Sequence, residues 1–219
     1  MNILGNTIYG NSAADICIIR MLGEHEKNLI EEEVKLIADS CSHNQWCIIT
    51  VVVDDWNHEL TPWSVEVPKP EQSFGCGADQ KLKDVEKIIA EFENMYPNSD
   101  RRYAIAGYSL AGLFALWSSY QNKSFEGVVA CSPSVWYPGW TEYAGSHDTY
   151  ASCVYLSLGK KEHKTRNVLM SKVLDAIKTQ HTLLEDQDIN TVLEMNEGNH
   201  FADVTKRMVQ GICWILGST

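Results

Sequence analysis

The sequence predicts an α/β protein: one domain in three layers, with a mostly parallel central sheet and helices on both faces. Short apolar, β-branched runs alternate with stretches of helical periodicity along all 219 residues, the pattern of strands joined by crossover helices. One run, WCIITVVVDDW at 46–56, is almost continuously apolar, as a strand covered on both faces must be. No repeat, linker or low-complexity tract divides residues 1–219, and the length suits a single core.

Taken in order, ADICIIRML (14–22) predicts a strand. EHEKNLIEEEVKLIADS (24–40) predicts a helix through the spacing of Ile30, Val34 and Ile37. After the 46–56 strand, NHELTPWSVEVPKPEQSFGCG is too rich in proline and glycine for a regular element. Leu82, Val85, Ile88, Ile89 and Phe92 share one helical face, and Tyr96-Pro97-Asn98 stops that helix. RRYAIAGYS is a strand, LAGLFALWSSY an apolar helix and EGVVACSPSVW another strand. WYPGWTEYAGSHDTY (136–150) has no period and reads as a loop or short excursion. CVYLSLG is a strand, and Met170, Val173, Leu174 and Ile177 mark a helix. INTVLEMNEGNH is the last strand and its loop, and Val204, Met208, Ile212 and Ile215 mark the closing helix. The excursions at about 56–78 and 136–150 are expected to form the rim of the site.

A formal charge of −11 opposes nucleic acid and anionic membranes, which leaves a small molecule or another protein as partner. No segment has the length of a membrane span or the basic flank of a signal peptide. The seven cysteines are odd in number and lack a CxxC pair, and Cys17, Cys47, Cys131 and Cys153 lie in apolar runs. Reduced thiols and a cytoplasmic location are the simplest expectation. No HExxH motif, Cys/His cluster or dinucleotide fingerprint is present, so neither metal nor cofactor is expected.

The chemistry centres on AIAGYSLAGLFALW (104–117), a strand that turns sharply at Ser109 into a helix. Such a turn holds a serine hydroxyl proud of the sheet edge and crowds the positions two before and two after it, so both must be small. Gly107 and Ala111 meet that demand, and Gly112 lets the helix approach the strand. A helix N-terminus also favours a developing oxyanion. The competing reading is a serine that merely caps the helix.

A nucleophile needs a base. Of the seven histidines, His25, His43 and His181 sit in polar helical surroundings and read as solvated, while His58, His147 and His163 lie in loops. His200, in NEGNHF after the last strand, alone fits the order serine, acid, histidine. Glu162, just after YLSLG, is the first candidate for the acid, with Asp148 and Glu197 as rivals, a serine–histidine dyad as an alternative, and a solvated cluster with Lys160, Lys161, His163 and Lys164 as the bland explanation. The oxyanion hole draws one N–H from Leu110 and a second from the loop after the third strand; with DDWNHEL taken as that loop, Trp56 is expected to supply it, then Asn57. Trp63, Trp136, Tyr137 and Trp140 fall in the two excursions and either line a substrate pocket or pack the loops together.

GYSLAGLFALW, VVACSPSVWY, YLSLGKKEHKTRN and EGNHF, in that order, resemble the esterase D-like family of α/β-hydrolases, in particular its enterochelin esterase-like branch, over roughly residues 46 to 216. The resemblance implies a three-layer α/β-hydrolase fold. It also implies a serine carboxylesterase with Ser109 as nucleophile, His200 as base and Glu162 at the acid position. Ala111 stands where the family commonly has glycine, and GKKE lacks the aspartate that often directly follows the glycine of that segment, here Gly159. The same fold also serves acyltransferases, and a catalytically silent binding module is the reading from another class. The expected partner is a small-molecule ester.

Overall fold

A computed structural model describes residues 1–41, 46–66 and 73–218. Among these residues eight strands form one sheet: β1 (Asn2–Ile3), β2 (Asn6–Gly10), β3 (Ile16–Gly23), β4 (Trp46–Val53), β5 (Arg102–Tyr108), β6 (Phe125–Cys131), β7 (Cys153–Gly159) and β8 (Asn190–Asn196). Their order across the sheet is β1-β2-β4-β3-β5-β6-β7-β8. From β4 through β8 every neighbouring pair is parallel, so all these strands deliver their C-terminal ends to one edge. β1 and β2 form an antiparallel hairpin, and β2 also runs antiparallel to β4. Leu4 and Gly5 both take positive φ (47° and 83°) in its two-residue turn, the geometry that matches strand twist. This hairpin escaped the sequence reading because two residues of β1 are too few to show a period.

Among the described residues, seven α-helices cover the sheet: α1 (Ile30–Ser40), α2 (Trp56–Glu59), α3 (Ala78–Met95), α4 (Leu110–Gln121), α5 (Trp140–Ala144), α6 (Val173–Asp186) and α7 (Val204–Ser218). Alternation along β3 divides the core: Cys17, Ile19 and Met21 face the layer of α3 and α4, whereas Ile16 and Ile18 face that of α1 and α7. α4 is buried almost all round, which its uniformly apolar sequence allows. The expected helix over 24–40 begins later, at Ile30, after a 3₁₀ turn at Glu24–Glu26. The strand expected to 56 ends at Val53, because Asp55 caps α2 by accepting the His58 N–H. The strand expected to 136 ends at Cys131, just before Ser132-Pro133. The excursion at 56–78 is described only outside 67–72, and His43 lies outside the described residues.

Cys17, Cys47, Cys131 and Cys153 are buried free thiols. Cys41 and Cys213, 172 positions apart with Cα atoms at 6.1 Å, form a disulfide between the end of α1 and α7. This corrects the expectation of seven reduced cysteines: the pair became visible only when α1 packed on α7. No helix among the described residues is long and apolar enough to cross a membrane.

Candidate active site

β5 ends at Tyr108 and α4 begins at Leu110, which leaves Ser109 alone to make the turn. Its backbone sits at φ 58° and ψ −122°, a conformation that costs a non-glycine residue of order 1–3 kcal/mol and must be held by its surroundings. Three bonds hold it. Ser109 N–H donates to Cys131 O at 3.1 Å, and its carbonyl accepts from Ser134 N–H at 3.0 Å and Leu113 N–H at 3.1 Å. The side chain makes no cap bond to the helix, so the capping explanation falls away.

The smallness of the flanks is now measurable. A Cβ on Gly107 would lie 2.2 Å from Ala111 O and 2.8 Å from Ala111 Cβ. Alanine is tolerated at 111 because glycine occupies 107. A Cβ on Gly112 would meet Gly107 O at 3.1 Å, a milder crowding. Gly107→Ala is therefore expected to cost more than about 4 kcal/mol, read as a fall in thermal midpoint of roughly 10 °C or more. Gly112→Ala should lower it less, and equal midpoints for the two would contradict this account.

Ser109 Oγ lies 3.1 Å from His200 Nε2, and His200 Nδ1 lies 2.8 Å from Glu162 Oε2. β8 and its loop carry the imidazole to the end of β5, where Tyr108 Oη also donates to His200 O at 2.8 Å. Gly198, at φ 92°, makes that loop's reversal. Glu162 is buried, not part of a solvated cluster. Its Oε1 accepts from Gly159 N–H at 2.6 Å, Ser132 Oγ at 2.7 Å and Arg207 Nη1 at 3.0 Å. Burial alone would raise its pKa. The hydrogen bonds from His200 and Ser132, with the His200 charge and the Gly159 N–H, outweigh burial and hold the carboxyl below its ordinary value. Asp148 is exposed in the 136–150 excursion, and Glu197 is exposed and paired with Lys160, so neither rival occupies this position.

Arg207 is the residue that sequence reasoning missed. On α7 it is 1% exposed, and its Nη1 donates to Tyr108 Oη, Ser132 Oγ and Glu162 Oε1, each at 3.0 Å. Its Nη2 donates to Glu197 O at 2.9 Å and Asn199 O at 3.1 Å, so one guanidinium ties the acid, the histidine loop and the serine strand together. The only hint in the sequence was a cation next to Met208 in the apolar stripe of the closing helix. Arg207→Ala leaves the Glu162 carboxylate buried without its cation, at an expected cost of about 3–5 kcal/mol. Thermal unfolding would read this as a midpoint lowered by roughly 10 °C; an unchanged midpoint would contradict the role.

These groups open onto a cavity of about 810 Å³ at the C-terminal edge of the sheet. Ser109, His200, Glu162, Ser132, Ser134, His25, Trp56 and Trp136 are among its walls. No family model and no curated protein sequence matches the chain. Solved structures do. The siderophore hydrolase EstA from Aspergillus nidulans is 18% identical, with a TM-score of 0.66 over 94% of this chain and 84% of that one. An IroE-like serine hydrolase from Shewanella oneidensis is 14% identical, with a TM-score of 0.76 over 96% of this chain and 74% of that one. The BES protein from Bacillus cereus is 17% identical, with a TM-score of 0.66 over 94% and 84%.

This chain has the α/β-hydrolase fold. The second oxyanion donor was expected from the loop after the third strand, and the structure corrects which loop that is. With the hairpin counted, the third strand is β3, and β3 is hydrogen-bonded to β5 (Arg20 beside Ala106). Trp56 follows β4, one strand further away; its ring lies edge-on to His25 at 5.0 Å on the cavity wall. The turn after β3 is anchored from inside the α/β-hydrolase core. Buried Arg20 donates from Nη2 to Glu26 Oε1 at 2.9 Å and from Nε to Glu33 Oε1 at 3.0 Å, while Glu26 Oε2 accepts the Gly23 N–H at 3.1 Å. His25, expected to be solvated, is exposed but borders the cavity.

The aromatic expectation divides. Trp136 lines the cavity; Trp63, Tyr137 and Trp140 do not. Trp63 Nε1 donates to Pro138 O at 2.8 Å and Tyr137 Oη donates to Trp63 O at close range, so these rings clasp the two excursions. Trp140 is fully buried and donates to Gln180 Oε1 at 2.9 Å. Indole and phenol groups seek hydrogen-bond partners when buried, and here the partners lie below the rim rather than in the cavity.

Proposed function

We propose that the protein is a carboxylesterase-type serine hydrolase acting through an acyl-enzyme. The observation that carries this reading is the hydrogen-bonded chain Ser109–His200–Glu162, set at a strained turn on the wall of a cavity large enough for a small-molecule ester. Esterases and serine hydrolases among the structures of like fold support it.

In this reading Ser109 Oγ attacks the ester carbonyl carbon while its proton passes to His200 Nε2. Glu162 holds the Nδ1 proton and balances the imidazolium. The oxyanion takes the Leu110 N–H, in the first turn of α4 where the helix itself offers no acceptor, together with a backbone N–H of the Glu24–His25 turn. Collapse breaks the carbon–alkoxide bond, and the alkoxide leaves with the proton from Nε2. Water, deprotonated by the same nitrogen, then frees the acid and restores the serine.

A fluorophosphonate probe followed by intact-mass measurement tests the reading, alongside hydrolysis of p-nitrophenyl acetate. One adduct per chain and measurable turnover are expected. Absence of both would leave a silent binding module.

A further inference from the structure

The cavity has one chemically distinct wall that the hydrolytic reading does not use. Lys161, Lys164 and Arg166, from one segment after β7, line the cavity, and Leu29, Trp56, Trp136, Met170 and Phe201 supply its apolar surface. The two carboxylates that reach the cavity are already engaged: Glu26 with Arg20 and the Gly23 N–H, Glu162 with His200 and Arg207. Glu197, on the loop after β8, pairs directly with Lys160 and also feels the charge of Lys161. Among the described residues, no carboxylate forms an ion pair with Lys161, Lys164 or Arg166. Three cations outside any direct ion pair thus line one cavity in a chain whose net charge is −11. A local field opposite in sign to the whole molecule concentrates anions there.

The position of this wall relative to the imidazole decides which part of an ester meets it. Lys160 N–H donates to Asn196 O at 2.8 Å and Lys161 N–H to Gly198 O at 2.9 Å, which binds the start of the cationic segment to the loop carrying His200. In the sheet order, β7 and β8 lie on one side of β5, whereas β3 and its turn lie on the other. The leaving alkoxide must sit beside His200 Nε2 to receive its proton. The alcohol part of the ester therefore extends toward Lys161, Lys164 and Arg166, away from the turn after β3.

We propose that the site takes esters whose alcohol part carries an anionic group, a carboxylate or a phosphate, held by Lys161, Lys164 and Arg166. This rests on the esterase reading and adds the substrate class to it.

The test compares the acetate esters of 4-hydroxybenzoate and 4-hydroxybenzamide, each rate divided by that ester's own spontaneous hydrolysis. The carboxylate ester should be favoured in kcat/KM by roughly 10- to 100-fold at low salt. The preference should shrink as ionic strength rises, because exposed charges are screened within about 10 Å at 0.1 M. In the triple variant Lys161→Gln, Lys164→Gln, Arg166→Gln the ratio should fall close to one. A control triple variant on a different surface, Lys83→Gln, Lys87→Gln, Lys123→Gln, should keep the wild-type ratio. Equal rates for the two acetates, with fluorophosphonate labelling intact, overturn the anionic-alcohol proposal and leave the esterase reading standing. No turnover of either ester and no labelling overturn the esterase reading itself. A matched pair with the charge on the acyl side, 4-nitrophenyl hydrogen succinate against 4-nitrophenyl butyrate, should show no comparable preference. A preference as large there would overturn the assignment to the alcohol side.

Discussion

Replacing Ser109 by alanine should lower turnover of p-nitrophenyl acetate by about 10⁶-fold, the scale on which serine hydrolases lose kcat when the nucleophile goes. The fold should be unaffected, because alanine keeps the backbone bonds to Cys131, Ser134 and Leu113 and removes an oxygen that caps no helix. Fluorophosphonate labelling should vanish with turnover. Thermal midpoint then separates chemistry from folding: Ser109→Ala should melt at or above the wild-type temperature. Labelling retained in this variant would remove Ser109 from the mechanism.

Glu162→Gln should cost about 10⁴-fold in kcat, since an amide in place of the carboxylate can present N–H to His200 Nδ1 and so fix the tautomer whose Nε2 bears hydrogen and cannot accept from Ser109. The variant also leaves Arg207 buried without its counter-charge, so its midpoint should fall while Ser109→Ala does not. A pH series adds a signature. The Glu162 carboxyl is held below its ordinary pKa in the folded protein, so its contribution to stability is full above that ordinary value, about 4.3, and is lost as pH falls through the lowered one. Wild type should lose stability across that acid range more steeply than Glu162→Gln, which has no proton to bind there. Identical acid unfolding profiles, or kcat within tenfold of wild type, would remove Glu162 as the orienting acid.

The elements were legible wherever a period ran long enough to be read. β4, α3 and α7 announced themselves by apolar spacing, whereas the β1–β2 hairpin did not. The miss had a consequence at the site: it displaced the strand count by one loop and placed the second oxyanion donor at Trp56, although the turn after β3 adjoins β5. The aromatic residues failed in another way. Trp136 and Trp140 are four positions apart in one excursion, yet one lines the cavity and the other donates to Gln180 in the core. Nothing local distinguishes two tryptophans whose difference is which neighbour takes the indole N–H.

Local chemistry dictated the turn at Ser109: only glycine fits at 107, a small residue suffices at 111, and both demands concern atoms within a few residues of one another. Chain order was enough to nominate His200 and Glu162. That His200 Nε2 stands 3.1 Å from Ser109 Oγ across 91 positions belongs to the tertiary structure. So do the Arg207 bonds to three segments, the Cys41–Cys213 pairing over 172 positions, and the placing of Lys161, Lys164 and Arg166 along the cavity of Ser109. Periodicity and turn sterics are short-range and leave their mark on neighbouring residues. A buried ion pair or a shared cavity wall depends on which distant segments the sheet order makes adjacent, and that order is fixed only when all eight strands have paired.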